Sequence, residues 1–164
     1  MSLLTPMLRS SPLTDWFSDA QRVQGMLDFE AALAQAQAVC GMVPPEAVGP
    51  IVAACRHETI DFAALGEAAV GAGNLAIPLV KQLTVQVKAR DPEAARYVHW
   101  GATSQDAIDT GLVLQLRGAL DAAETLLEQL LAALALQADR YRDTVMPGRT
   151  WMQHAPVSYT HLRA

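Results

Sequence analysis

Apolar residues recur at steps of three and four along most of the chain, which is the spacing of amphipathic α-helices. The first predicted helix begins at the N-cap pair Ser18–Asp19 and ends at Gly41, where two prolines follow. The residues that share its buried face are Val23, Met26, Leu27, Glu30 and Leu33.

Shorter elements follow, each bounded by a proline, a glycine or a capping aspartate. A proline suits the first turn of a helix because its missing N–H has no helical partner there. Helices are predicted from Pro45 to about His57, from Asp61 to about Val70, from Pro78 to about Arg90, and in a short piece from Asp91 to about Val98.

The longest predicted helix begins at Thr103–Asp106, which has the spacing of a capping box, and meets no stop signal before Thr144–Gly148. A helix of ~37 residues would be ~55 Å long. One small domain cannot bury such a rod, so we expect partner helices from elsewhere in the protein or from other subunits. Its apolar positions are Ile108, Leu112, Leu116, Leu120, Ala123, Leu127, Leu130 and Leu134.

Composition supports an all-α fold for the 164 residues, of which 51% are hydrophobic and only 5% aromatic. Alanine, the best helix former, is the commonest residue, while the residues that favour strands are scarce. We predict a domain of short helices over residues 1–102, followed over 103–155 by the first long helix of a helical bundle. Residues 156–164 form a separate tail.

Charge and cysteine content restrict the partners and the compartment. The net charge is −5 with no basic stripe, so we expect no nucleic-acid partner. Cys40 and Cys55 lack metal-site spacing, and we interpret both as buried thiols of a reducing compartment. The apolar stretch Leu126–Leu136 is interrupted by Glu128 and too short to cross a bilayer, so we predict a cytoplasmic protein without a membrane partner.

The first candidate site is the segment His99–Asp106, which gathers an imidazole, hydroxyls, an amide and a carboxylate at a predicted helix N-terminus. Free backbone N–H groups and the helix dipole favour an anion there. Thr103, Ser104 and Gln105 can donate further hydrogen bonds to a substrate carboxylate. Helix capping explains the spacing more simply, but it does not require His99 or Trp100.

The second candidate site is Gly148–His154, in which Arg149 can hold a carboxylate bidentately and Gln153 and His154 can donate or accept. A turn followed by the start of a surface helix explains the same spacing. A third feature, Gly73–Asn74, is by itself a helix C-cap. The sequence has no zinc spacing, phosphate loop or dinucleotide fingerprint, so we predict neither a metal nor a cofactor.

The run Val98–Thr110 is similar to a first signature region of the fumarase/adenylosuccinate lyase superfamily, and Gly148–Ala155 is similar to its second. Within the superfamily both regions resemble the 3-carboxy-cis,cis-muconate cycloisomerases. Two further features resemble the same enzymes: the pair Gly73-Asn74 followed by Ile77–Val80, and the residue Trp151. The C–N and C–O lyases usually carry a histidine in place of Trp151. The resemblance covers roughly residues 12–155. The tail departs from the family pattern, and we interpret it as a foreign or mis-joined end.

The resemblance implies an intramolecular lactonisation in the degradation of aromatic compounds (the β-ketoadipate pathway), without a metal or cofactor. One carboxylate of a conjugated tricarboxylate adds across a double bond, and a proton goes to the carbon beside another carboxylate. Fixed donors must then stabilise an enolate-like carboxylate. By resemblance, one substrate carboxylate is held by Thr103 and Ser104, and the site around it is lined by Asn74, His99 and Gln105. The rest of the substrate is bound by Arg149, Thr150, Trp151 and Gln153. The proton is carried by His154.

The resemblance also implies a homotetramer in which segments of three subunits form each active site. Because this chain carries two of those segments and one long helix, we expect the chain alone to associate and to have little activity. Two alternatives remain open: a C–N lyase similar to adenylosuccinate or argininosuccinate lyase, and a non-catalytic helical module for oligomerisation.

Overall fold

The computed structural model of the chain describes residues 11–149 and 154–157, and they form five α-helices and one two-stranded ribbon. The predicted all-α class is confirmed, with the ribbon as a small addition. The helices are α1 (Asp19–Val39), α2 (Pro45–Ala54), α3 (Phe62–Ala72), α4 (Ala76–Arg90) and α5 (Ser104–Arg140), with 3₁₀ turns at Thr14–Phe17, His57–Thr59 and Ala94–Tyr97; the strands are β1 (Met146–Arg149) and β2 (His154–Val157).

The predicted caps explain where α1 and α3 begin and end. Ser18 accepts a hydrogen bond from the Gln21 backbone N–H at 3.3 Å and so caps α1. Asp61 caps α3 in the same way. Gly73 ends α3 with φ +77°, a left-handed conformation that glycine adopts without strain.

The fourth helix starts two residues earlier than the proline rule predicts. The Asn74 side-chain oxygen accepts a hydrogen bond from the Ile77 N–H at 3.1 Å, and this bond replaces a missing helical one. Pro78 therefore lies in the first turn of α4 rather than at its first position.

The longest helix agrees with its prediction in both start and length. The Thr103 backbone N–H donates to the Asp106 carboxylate at 2.8 Å, and the Thr103 hydroxyl donates to the same oxygen at 3.0 Å. The Asp106 backbone N–H donates in return to the Thr103 hydroxyl oxygen at 3.4 Å, which completes the reciprocal bonding of a capping box. From it α5 runs for 37 residues.

The hydrophobic core lies where α1 meets α2, α4 and the first part of α5. Helix α1 is central to it, and the small residues of α2 allow close packing between them. Each deeply buried leucine, isoleucine or valine contributes roughly 1.5–3 kcal/mol by leaving water. The largest fully buried side chains are Leu27, Val43, Ile51, Leu65, Leu79, Leu83 and Val87.

Helices α1 and α5 are in close backbone contact at a pair of glycines. A Cβ built on Gly111 would lie 2.9 Å from the Met26 backbone nitrogen, and one built on Gly25 would lie 2.8 Å from the Gly111 carbonyl oxygen. No side chain fits either position without moving a backbone. This contact fixes where the N-terminus of α5 lies along α1.

A short β-ribbon contains both ends of the second candidate segment, Gly148–His154. Strands β1 and β2 pair antiparallel, with Pro147 opposite Pro156 and Arg149 opposite His154. Proline has no N–H to give to a ladder and breaks a helix interior, but it is tolerated in edge strands, and both strands of a two-stranded ribbon are edges.

The structure corrects one of the two cysteine predictions. Cys55 is buried, as predicted, but Cys40 is exposed. Cys40 caps the C-terminus of α1, beyond the last turn that the core covers.

By the density of internal contacts the chain divides into two compact units, Met1–Ala122 and Ala123–Ala164. The predicted boundaries after residues 102 and 155 stay predictions. Within residues 11–149, no helix combines the length and hydropathy that a membrane span requires.

Candidate functional site

The loop between the last 3₁₀ turn and α5 carries the first predicted cluster. His99 has φ +56° and Gly101 has φ +70°, so the chain reverses through two left-handed residues that flank Trp100. The left-handed region is uncommon for a residue with a side chain and costs energy. Contacts with α1 must therefore hold His99 in place.

Glu30 of α1 provides the first of these contacts. Its Oε1 lies 2.5 Å from Nδ1 of His99, and the two side chains are only 2% and 17% exposed. Burial raises the pKa of Glu30, and the hydrogen bond and charge of His99 oppose that rise. Burial also raises the pKa of the nearby Cys55 thiol to about 12, with a further contribution from Glu30.

Gln37, two helical turns further along α1, provides the second contact. Its amide nitrogen donates to the Trp100 carbonyl oxygen at 2.7 Å. The Trp100 ring packs at a tilt against Tyr97, with 5.8 Å between ring centroids, and remains half-exposed. Two buried polar side chains of α1 thus hold the loop, Glu30 through the His99 ring and Gln37 through the Trp100 backbone.

The hydroxyls and the amide at the start of α5 differ in what they bond. The Thr103 hydroxyl bonds Asp106 within the capping box. Those bonds from Thr103, together with the charge of His99, hold the pKa of Asp106 below its usual range. Gln105 donates to Asp109 at 2.6 Å. Ser104 is half-buried, and its hydroxyl makes no hydrogen bond within the described part of the chain. Ser104 is therefore the side chain at this helix N-terminus that is most available to a ligand.

The residue that follows Asn74 lines a cavity that reaches the same helix. The cavity has a volume of about 250 Å³ and is mostly apolar. This residue is Leu75, and Ile108, which follows Ser104 by one helical turn, lines the same cavity. The Asn74 side-chain oxygen is engaged in capping α4. The complete lining is Arg22, Met26, Leu75, Ile108, Leu112 and Gln115.

The second predicted cluster is described only in part. Arg149 and His154 occupy opposite positions of the ribbon, so the structure brings their backbones together. Thr150, Trp151 and Gln153 lie outside the described residues. The roles of all five residues stay predictions.

The comparisons with known proteins agree with one another. The family model described as lyase matches residues 8–162. The chain belongs to this lyase family. Its relatives there include 3-carboxy-cis,cis-muconate cycloisomerases from Pseudomonas aeruginosa, 61% identical over 150 residues (91% of this chain, 33% of the relative), and from Bradyrhizobium diazoefficiens, 55% identical over 153 residues (93% and 34%).

A solved structure supports the same assignment within the lyase family. The fold matches that of the 3-carboxy-cis,cis-muconate lactonizing enzyme from Pseudomonas putida with a TM-score of 0.90 and 54% identity, over 94% of this chain and 36% of that one. The predicted resemblance to muconate cycloisomerases is thus confirmed. The chain spans about a third of the length of these relatives.

The sequence motifs of this lyase-family chain indicate neither Glu30 nor Gln37 as a site residue. Both are buried polar residues seven positions apart on α1, and both bond the loop that carries His99. The signal was present, because the helical period places Glu30 on the apolar face among Val23, Met26 and Leu27. A carboxylate at a core position is costly unless it is paired, so it indicates a specific partner.

The chemistry of this region suits anion binding more than metal chemistry. The N-terminus of α5 presents backbone N–H groups, the Ser104 hydroxyl and, on the preceding loop, the His99 ring. Among the described residues, no group of three or more histidine, cysteine, aspartate or glutamate side chains converges as metal ligands.

Proposed function

We propose that this chain is a segment of a cycloisomerase that interconverts 3-carboxy-cis,cis-muconate and a carboxymuconolactone. The observation that carries the proposal is the 55–61% identity to relatives of that name. Because the chain spans a third of their length, the activity is assigned to a whole enzyme that contains this segment. We further propose that the enzyme is cytoplasmic and acts in the degradation of aromatic compounds.

The N-terminus of α5 supports this proposal as a binding site for one substrate carboxylate. In the reaction charge builds on a carboxylate as the neighbouring carbon loses or gains a proton, and preorganised donors lower that barrier. The Ser104 hydroxyl donates a hydrogen bond to the carboxylate, and Thr103, which also caps the helix, helps to bind the same carboxylate. His99, Asn74 and Gln105 line the site.

The segment after α5 supplies the other part of the proposed site. Arg149 binds a second carboxylate bidentately, together with Thr150 and Gln153. Trp151 replaces the histidine usual in the C–N and C–O lyases, so the proton is carried by another group, which we propose to be His154.

The exposed apolar residues of α5 support a homotetramer as the active form. All side chains at positions 124–140 are exposed, and ten of them are leucines or alanines of the kind that line a bundle core. In the proposed enzyme these residues pack against the same helix of other subunits. The separate 164-residue chain lacks the remaining partners and has little cycloisomerase activity.

The proposal is tested with a full-length enzyme that carries this segment. The rate of lactonisation is measured as the loss of the conjugated-diene absorbance of 3-carboxy-cis,cis-muconate. Adenylosuccinate and argininosuccinate are the control substrates, and the 164-residue chain is the control protein. We expect turnover of the muconate only, and only by the full-length enzyme. Cleavage of either succinate derivative in preference to the muconate would contradict the proposal.

A further inference from the structure

Glu30 is the one carboxylate that the described residues bury, and the lactonisation assigns it no role. Only 2% of it is exposed, on the face of α1 that otherwise carries core residues. A burial site that served stability alone would be filled as well by an apolar side chain of similar size. The carboxylate is thus retained at a cost, and its partner indicates why.

That partner is the ring of His99, which is the nearest group of the candidate site. The contact joins Oε1 to Nδ1 at 2.5 Å, across 69 positions of the sequence. The second oxygen, Oε2, is buried with no partner in the described part of the chain. The carboxylate is therefore directed at one nitrogen of one imidazole, rather than spread over several donors.

A carboxylate against Nδ1 determines which ring nitrogen carries the proton. An ionised Glu30 only accepts, so Nδ1 must donate its N–H to it. Nε2 is then the ring nitrogen that Glu30 does not engage. It accepts a hydrogen bond or a proton when the ring is neutral, and it donates when the ring is charged.

We propose that Glu30 is a positioning residue for His99, which holds the ring as the Nδ1–H tautomer and presents Nε2 to the substrate. The proposal rests on the proposed function for the presence of His99 in the site. Besides Glu30, the charged group of this region that faces His99 is Asp106, which its bonds to Thr103 already engage. Glu30 is the group in direct contact with the ring nitrogen.

The tautomer of His99 is measured by ¹⁵N NMR on the histidine-labelled full chain, at a pH where its rings are neutral. We expect Nδ1 to be protonated in the wild-type chain. In Glu30→Leu, whose side chain fills the same space without accepting a hydrogen bond, we expect His99 to lose that signature and to show the Nε2–H tautomer. His57 serves as an internal reference and should not change.

Gln37→Leu is the matched control, because it removes the other buried bond between α1 and this loop without touching the ring. It should leave the His99 tautomer unchanged. A wild-type ring with its proton on Nε2, or a tautomer that survives Glu30→Leu, would overturn the proposal. The wild-type measurement alone decides if Glu30→Leu fails to fold. Failure of the lactonisation assay would overturn the proposed function and leave this measurement unaffected.

Discussion

The two halves of α5 share one helical pattern but have opposite surroundings. In the first half every fourth residue is buried, namely Ala107, Gly111, Gln115 and Ala119. From residue 124 to residue 140 every side chain is exposed. Leu130 and Leu131, for example, are 54% and 68% exposed.

The difference shows that periodicity predicts a helix but not which face it buries. In the first half the buried stripe consists mainly of small residues, because α1 and the ring of Trp16 approach the backbone closely there. The neighbouring stripe of Leu112, Leu116 and Leu120 is left at least 40% exposed. The leucines are consequently available to another chain, whereas the small residues are already used within this one.

The largest effect is expected where the two helices cross. Gly111→Ala should lower the free energy of unfolding by about 1–3 kcal/mol, since the new methyl meets the α1 backbone. Gly66→Ala is the matched control, because Gly66 lies in an exposed part of α3 with open space around it, and it should gain roughly 0.5–1 kcal/mol. Urea denaturation of both variants checks this, and equal effects would contradict the close crossing.

A smaller effect is expected at the cap of the buried half. Thr103→Ala should cost about 1 kcal/mol, whereas Thr110→Ala, at an exposed position in the second turn of the same helix, should change stability by roughly a few tenths of a kcal/mol. The bonds from Thr103 lower the pKa of Asp106. Their contribution to the free energy of unfolding is therefore present above pH 3.8 and is lost as the pH falls through the pKa of Asp106 in the folded state.

Denaturation of wild type and Thr103→Ala across pH 2–6 checks this sign. The difference in the free energy of unfolding between wild type and Thr103→Ala should be largest near neutral pH and should decrease toward pH 2. A gap that widened in acid would show that the capping box does not operate as described.

The smallest effect on stability is expected in the exposed half. The double substitution Leu130→Lys and Leu134→Lys should change the free energy of unfolding by less than about 0.5 kcal/mol, since both side chains are exposed already. It should nevertheless reduce self-association in analytical ultracentrifugation. A marked loss of stability without a change in association would mean that these leucines pack within the chain.

The same contrast explains how much the sequence could predict. Local signals sufficed for the caps at Ser18 and Asp61 and for the capping box of α5, because each depends on residues within a few positions. The bond between Glu30 and His99 and the choice of buried stripe on α5 depend on long-range packing. The ribbon was missed because its pairing joins two short proline-containing segments that carry no alternating pattern.

The central claim is that the N-terminus of α5 binds a carboxylate of the substrate through Ser104. The most direct test is kcat for 3-carboxy-cis,cis-muconate in a full-length enzyme that carries this segment, with Ser104→Ala compared with Thr110→Ala on the same helix. We expect Ser104→Ala to lower kcat by about 10²–10³-fold while the oligomer and its melting temperature are retained, as for the loss of one donor to a developing oxyanion. A kcat for Ser104→Ala equal to that of Thr110→Ala would contradict the claim.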